Sequence, residues 1–378
     1  MLDSKSVLGY LLEQVRAARA TEAGVALVGA ALSEECRWHW SLAAELRASR
    51  TNNAGKRGLV EICGGFEKLP EAMSQALTRM GARVNFTFER EVTAIHLVNG
   101  KARVEVRHAG TKQRLPHLTG YDRVLCTLPF PVMRRIELTG VSPAKLRAIR
   151  NMEYASSTKV LLHCSDRFWE KGERPILGGS SISDRLTRQT YYPSDSVPVT
   201  GDQVLLGAAA PEPEGFWSTQ TQFDELPEAP APARADANGA PRPGVLLGSY
   251  SWCDNARQLG KLTHHHEGAV TFDASSGGEF RALVNHVLGD IKHIHPEVTD
   301  HFVNGAAIFW DEYRWSKGAF AITPPGDLSH YYQDGQRREG NLSFAGEHLS
   351  IAPGWIQGAL ESGLRAVLEM LSPSRGDD

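Results

Sequence analysis

The sequence predicts an α/β chain with mixed α+β elements in four parts, and three observations carry that prediction. Apolar residues recur at helical spacing from Leu2 to about Ser49, short β-rich runs broken by Gly and Pro fill the middle, and the chain ends on a short strand leading into an amphipathic helix. With 378 residues, 41% of them hydrophobic, the chain is long enough for about two domains around a sizeable core.

In the first part, Val7, Leu11, Leu12 and Val15, then Leu27 to Leu32, then Trp40, Leu42 and Leu46 keep the helical period. Trp38, His39 and Trp40 lie on this pattern and read as core or interface aromatics rather than a ligand box. The second part turns to β with one helix. "LVEICGGFEKLPEAMSQALTRM" reads as strand, glycine turn and helix, and "RVNFTFEREVTAIHLVNGKARVEV" as a hairpin turning at Asn99-Gly100. "RVLCTLP" is a further strand, stopped by Pro129 and Pro131.

The third part holds the strands "STKVLLHC", "QVLLGAA", "GVLLGSYSWC" and "AAIFWDEY" and one helix, about Gly278 to Ile294, behind the capping run "DASSGG". Residues 211–243 are rich in Pro and Ala and read as a surface insertion. His264 to His266 are adjacent in a polar loop and lack the spacing of a rigid metal site. In the fourth part "LSFAGE" is a strand and "HLSIAPG" a loop. Ile356, Leu360, Leu364, Val367, Leu368 and Leu371 then trace one face of a helix. That helix N-terminus offers free N–H groups to an acceptor-rich or anionic ligand, and Gly354 and Gly358 allow something flat to approach the backbone. Glu347 at the strand end can accept from sugar-like hydroxyls, or it is simply an acidic charge near a helix start.

Charge and cysteine usage narrow the function classes. A net charge of −3, from 41 Lys+Arg and 44 Asp+Glu without like-charge blocks, gives no electrostatic case for nucleic acid. Cys36, Cys63, Cys126, Cys164 and Cys253 are scattered and odd in number, which points to a reduced compartment; Cys126 and Cys164 sit in apolar runs as buried, inert thiols. The N-terminal residues show no signal-peptide or membrane-spanning run, so a cytoplasmic product is expected.

"FAGE" followed by "GWIQGALESG" resembles the C-terminal flavin motif of the flavin-dependent amine oxidases. "GGFEKLPEAM", "VTAIHL", "VLCTLPFPVMRRI", "SSTKVLLHCSDRFWEK", "GGSSISDRLTRQTYYPS" and "GVLLGSYSW" are similar, in order, to the L-amino acid oxidase branch of that family. The resemblance implies FAD as cofactor and an FAD-binding Rossmann-like domain built from discontinuous segments, with a mixed-sheet substrate domain and a helical domain. Mapped onto this chain, 1–56 is a partial helical domain, 57–152 and 336–378 the middle and C-terminal segments of the FAD-binding domain, and 153–335 the substrate-binding domain.

The resemblance further implies oxidative deamination of an L-amino acid by O2. A hydride leaves the substrate Cα for the flavin, the imino acid hydrolyses to a 2-oxo acid and ammonia, and oxygen becomes hydrogen peroxide. Lys159 matches the family's lysine beside the flavin; a plain strand lysine pointing to solvent is the alternative. Tyr250 matches the tyrosine that binds the substrate carboxylate, its alternative being a half-buried strand aromatic. Gly354, Trp355 and Ile356 match residues beside the flavin ring, with the Gly354 carbonyl able to accept from the substrate amine. Trp310 and Trp315 fall in the segment lining the substrate cavity, and Val92 where backbone contacts the adenine end. Asp311 and Glu312 are surface charges or suit a basic substrate.

One departure is large. The family's N-terminal G-x-G-x-x-G segment, which holds the FAD pyrophosphate, and the carboxylate-binding Arg after it have no counterpart here. The expectation is therefore a fragment, or one chain of an oligomeric enzyme whose second polypeptide carries both features. A related amine oxidase or oxygenating relative, and a non-catalytic chain that keeps the fold without FAD, are the alternatives.

Overall fold

The computed structural model of the chain describes residues 2–18, 21, 23–25, 29, 35–52, 62, 64–99, 101–194, 241–263, 269–273 and 281–372. Most of the Leu27 to Leu32 run, Cys63 and most of its strand, the "QVLLGAA" strand, nearly all of the Pro/Ala-rich insertion, His264 to His266 and the "DASSGG" cap after its first residue lie outside the described residues.

Six strands build the larger sheet. Ser157–Cys164 is central, antiparallel to Gly244–Trp252 on one side and Phe302–Phe309 on the other. Beyond these lie Ala269–Asp273 at one edge and, through Gln189–Tyr191, Ser180–Ile182 at the other. Side chains alternate between faces with a period of two residues. Thr158, Val160, Leu162 and Cys164 are all fully buried, and the last three pack with Leu283, Val287 and Ile291 of the helix Arg281–Ile291. Burying Leu162, Leu246, Leu283 and Val287 contributes about 1.5–3 kcal/mol each. Ser157, Lys159, Leu161 and His163 take the opposite face, where Leu161 is exposed.

A four-stranded sheet runs Leu118–Tyr121, Lys101–His108, Arg90–Val98, Glu137–Thr139. Its hairpin closes where expected, with Val98 opposite Lys101 and Asn99 in the left-handed region at φ 49°. The strand Val124–Cys126 pairs in parallel with Leu342–Phe344, which brings the C-terminal part beside the second part. Ile95, Phe130, Met133, Ile149, Leu342 and Phe344 form the core between them.

After the second part the chain forms a helix for which the sequence pattern gives no expectation. Pro143–Asn151 is helical, with the Ser142 hydroxyl accepting from the Lys145 N–H at 3.2 Å and Pro143 in the first turn. The Ser-Pro pair is a helix-start signal whose following apolar residues, Leu146, Ala148 and Ile149, are too few for periodicity to reveal. The third part likewise adds the short helices Cys253–Gly260 and Val298–His301.

The terminal helix Ile356–Leu371 buries a different face from the one its apolar residues trace. Gly358, Ser362 and Ala366, four residues apart, face inward. Ile356, Leu360, Leu364, Val367, Leu368 and Leu371 are 42–72% exposed. A Cβ at Gly358 would lie 2.2 Å from the Ala352 carbonyl oxygen and 2.4 Å from Ser350 Oγ, so this glycine serves the helix's contact with its own preceding loop, not a flat ligand. Gly358→Ala is expected to destabilise the chain by about 1–3 kcal/mol, because backbone must move to admit the methyl group. Urea unfolding checks this, and a midpoint equal to wild type would refute the packing role.

Candidate flavin and substrate site

Two of the candidate residues, Lys159 and Tyr250, lie on the face of the six-stranded sheet opposite its buried core. Lys159 sits directly across from Tyr250 in the register, and its Nζ lies 4.6 Å from the centre of the Tyr250 ring. Burial lowers the Lys159 ammonium below the ordinary lysine range. Burial also raises the Tyr250 hydroxyl, with Tyr191 and Cys36 adding to the effect.

Tyr250 belongs to an aromatic chain. Tyr191 packs 6.1 Å from it, Trp252 meets it edge-on at 5.3 Å, Phe320 lies 5.9 Å from Trp252, and Trp40 lies 6.1 Å from Phe320. Tyr250 and Trp252 share a face because they stand two residues apart on one strand. Phe320 belongs to the strand Phe320–Ile322, which pairs with Glu153–Ala155. A Cβ at Gly354 would lie 3.4 Å from Phe320, so the chain of rings ends against the loop that opens the terminal helix.

Glu347 ties that loop down. One carboxylate oxygen accepts from the Ala321 N–H at 3.0 Å and the other from the Gly354 N–H at 2.6 Å. Burial pushes the Glu347 carboxyl up to about 7, against these two donors. Both oxygens serve backbone, so the observed role of Glu347 is to clamp Gly354, in its left-handed conformation at φ 80°, against the Phe320–Ile322 strand. Trp355 is the N-cap of the terminal helix and supplies no side-chain cap. The first intrahelical bond runs from the Ala359 N–H to the Trp355 carbonyl, leaving the N–H groups of Ile356, Gln357 and Gly358 without a helical partner.

The structure thus joins Lys159 and Tyr250 through Trp252 and Phe320 to Gly354 and Glu347. Trp310 stands apart, edge-on to Tyr313 at 5.6 Å, and Trp315 is exposed beneath the Arg314 guanidinium at 4.4 Å. Val92 lies at a register shift in Arg90–Val98, its side chain packed into the core, so only its backbone is available to a ligand. Asp311 is half-buried rather than a surface charge: it accepts from Ser156 Oγ at 2.5 Å, and burial raises its carboxyl. Sequence reading missed Tyr191, Trp252 and Phe320. The i, i+2 step from Tyr250 to Trp252 was the one available signal.

The residues fit the ring and ribityl end of FAD on three counts. The terminal helix begins with N–H groups that have no helical partner, and aromatic edges line the way to Gly354. The buried polar atoms without a hydrogen-bond partner among the described residues include Trp40 Nε1, Ser157 Oγ and Trp252 Nε1 on this side. No group of His, Cys, Asp or Glu that could hold a metal occurs among the described residues, and no helix there is long and apolar enough to cross a membrane.

Comparison with known proteins places the chain in a family. The chain is 31% identical over 314 residues to the flavin-dependent L-tryptophan oxidase RebO of Lentzea aerocolonigenes, covering 82% of this chain and 52% of that protein. It is 27% identical over 350 residues to the putative L-amino-acid oxidase YobN of Bacillus subtilis, covering 91% of this chain and 59% of that one. The chain therefore spans about half the length of the relatives it matches. Among solved structures, a putrescine oxidase bound to putrescine superposes over 98% of this chain and 69% of its own, with a TM-score of 0.63 at 14% identity, a likeness of fold. The model of the flavin containing amine oxidoreductases matches residues 25–229 and 235–371, and the chain belongs to that family.

Proposed function

We propose that this chain carries the substrate-side wall of an FAD-dependent L-amino acid oxidase, converting its substrate to the 2-oxo acid, ammonia and hydrogen peroxide. The observation that carries the reading is the Lys159–Tyr250 pair, joined by an unbroken run of rings to the Gly354 loop. Relatives named for oxidation of L-tryptophan and L-amino acids support the substrate class.

Each residue has a task in this reading. The Tyr250 hydroxyl donates to the substrate carboxylate. The Gly354 carbonyl, held by Glu347, accepts from the amine, so that carboxylate and amine together present the Cα. Trp252 and Phe320 exclude water between them. FAD, when bound along Glu347, Gly354, Trp355 and Ile356 with the Val92 backbone toward its adenine end, supplies hydride acceptance and electron delivery to oxygen. Trp310 and Trp315 border the approach to the site.

The same reading includes a further polypeptide segment, on a second chain or on a longer version of this one, bearing the G-x-G-x-x-G turn and the carboxylate-binding Arg. Two features support it. The terminal helix leaves an apolar face exposed, as do Phe66, Met73, Leu77 and Met80 on and around the helix Lys68–Arg79, which has no buried residue. The parallel pair Val124–Cys126 and Leu342–Phe344 stands as a two-stranded sheet among the described residues, although parallel sheets are stable only when larger and covered. The scattered cysteines support a cytoplasmic setting.

The test is to purify the chain alone and together with a polypeptide carrying the G-x-G-x-x-G segment, record the flavin spectrum, and assay peroxide across the L-amino acids. Flavin and peroxide are expected in the combined preparation only. A colourless, inactive combined preparation would sink the oxidase reading, and a yellow, active preparation from the chain alone would sink the need for the added segment.

A further inference from the structure

One edge of the six-stranded sheet is held by side chains more than by its ladder. The hairpin of Ser180–Ile182 and Gln189–Tyr191 meets the neighbouring strand at one register pair, Tyr191 opposite Leu247. So short a ladder contributes little, and the hairpin's place is set by other bonds. Thr190 Oγ1 donates to the Gly248 carbonyl at 3.2 Å and Ser249 Oγ to the Thr187 carbonyl at 2.9 Å. From the helix Arg281–Ile291, Asp290 accepts from the Thr187 N–H and from Arg185 Nη1, each at 3.3 Å.

The remaining anchor is a line of three polar side chains. Tyr191 and Tyr192 are consecutive and serve opposite sides of the sheet: Tyr191 packs 6.1 Å from the Tyr250 ring, while Tyr192 is buried in the core. There the Tyr192 hydroxyl lies 2.7 Å from His295 Nε2 and 2.9 Å from Ser181 Oγ. His295 is buried in the turn after the helix, its backbone N–H donating to the Ile291 carbonyl at 2.8 Å. Its ring stands edge-on to Phe168 at 5.4 Å and to Tyr192 at 5.6 Å, and His301 stacks on Phe168 at 5.2 Å. Burial holds the His295 imidazolium below the ordinary 6.5, with Glu297 of the same turn opposing. Burial also raises the Tyr192 phenol, with Ser181 opposing, so the phenol keeps its proton.

We propose that Ser181, Tyr192 and His295 are positioning residues for the substrate site: their hydrogen-bonded line seats the edge hairpin so that Tyr191 packs against the Tyr250 ring. The inference deepens the proposed function and rests on its assignment of Tyr250 to the substrate carboxylate. With the imidazole neutral, Nε2 accepts from the Tyr192 hydroxyl, which accepts in turn from Ser181 Oγ. A solvent proton taken up at Nε2 ends that acceptance. The phenol proton turns to Ser181, and the new charge is enclosed by Phe168 and Tyr192 at a desolvation cost. With the hairpin unseated, the exposed imidazole binds its proton at the ordinary affinity, so the seat weakens as pH falls below about 6.5.

The experiment follows the full chain at pH 7.5 and pH 5 by hydrogen exchange of residues 180–192, corrected for intrinsic rates, and by fluorotyrosine NMR of the Tyr250 ring. On acidification, wild-type exchange should rise severalfold, up to a ceiling of about 30-fold set by the interval from pH 6.5 to pH 5, and the Tyr250 signal should shift with it. His295→Gln keeps a group that bonds Tyr192 but cannot titrate, and should hold both readings at their neutral values. Tyr192→Phe leaves Nε2 and Ser181 without their partner, and should raise exchange about 5- to 30-fold already at pH 7.5. Wild-type exchange or a Tyr250 signal indifferent to pH, or acid sensitivity undiminished in His295→Gln, would overturn the proposal. In the flavin-loaded enzyme the KM for an L-amino acid should rise about tenfold over the same interval while kcat changes less than about twofold, and His295→Gln should lack the rise. A constant wild-type KM beside a moving Tyr250 signal would also overturn the positioning role. The expected exchange and NMR changes without turnover of any L-amino acid would keep the seat on Tyr250 and sink the oxidase reading instead.

Discussion

Lys159→Met is expected to slow turnover of the flavin-loaded enzyme by about 10²-fold, with the loss falling on the oxygen-dependent half of the reaction. The ammonium stands over Tyr250 on a partly desolvated sheet face, where a positive charge stabilises developing negative charge far better than in water. Removal of one such preorganised group typically costs 10²–10³-fold. Methionine keeps the length and apolar body of the side chain, so packing on the Tyr250 ring is largely retained. Stopped-flow measurement separates the halves: substrate-driven flavin reduction should change by less than about tenfold, while reoxidation by oxygen should fall by the full factor.

The pH dependence has a definite sign. Burial lowers the Lys159 ammonium below the ordinary range, so its charge is lost at a pH below that of a free lysine. The wild-type reoxidation rate should therefore decline as pH rises through that lowered value, and the Met variant should lack the decline. Equal losses in both half-reactions would make Lys159 a packing residue. An unchanged rate would remove it from the mechanism.

Local signals made much of this site legible in advance. The strands around Lys159 and Tyr250 announce themselves as β-rich runs bounded by breakers, and the Asn99 turn fixes its hairpin. What remained hidden depends on pairing between distant segments. Phe320 reaches the aromatic chain only because its strand pairs with Glu153–Ala155, and nothing in "KGAFAI" marks that partner. The terminal helix misleads in another way. Apolar periodicity identifies a face that avoids water, but in the described residues that face is exposed, and the contact is made by the small residues Gly358, Ser362 and Ala366. Close backbone approach, rather than hydrophobicity, selects those three positions.

Lys145→Met is expected to reverse the chain's stability ranking between pH 7.5 and pH 9.5. Lys145 is fully buried in the helix Pro143–Asn151, its Nζ donating to the Gly335 carbonyl and lying 4.0 Å from the centre of the Phe344 ring. Burial lowers its ammonium from the ordinary 10.5 to about 7, with Glu339 opposing. Between those values the unfolded chain holds the proton and the folded chain has released it. Stability therefore rises with pH by about 1.4 kcal/mol per unit across that window and levels off below it. At pH 7.5 the folded state thus carries a penalty on the order of 3–4 kcal/mol, which the substitution removes. Against this, methionine leaves the Gly335 carbonyl without its donor, at a cost of about 1–3 kcal/mol that does not vary with pH. The variant should be the more stable protein at pH 7.5 and equal or worse at pH 9.5, as read from urea midpoints at the two values. Parallel pH dependences in the two proteins would show that Lys145 keeps its proton on folding. Its contact with Phe344 ties the helix to the strand that delivers Glu347 to the candidate flavin site, so the same titration tests how firmly the clamp on Gly354 is supported from behind.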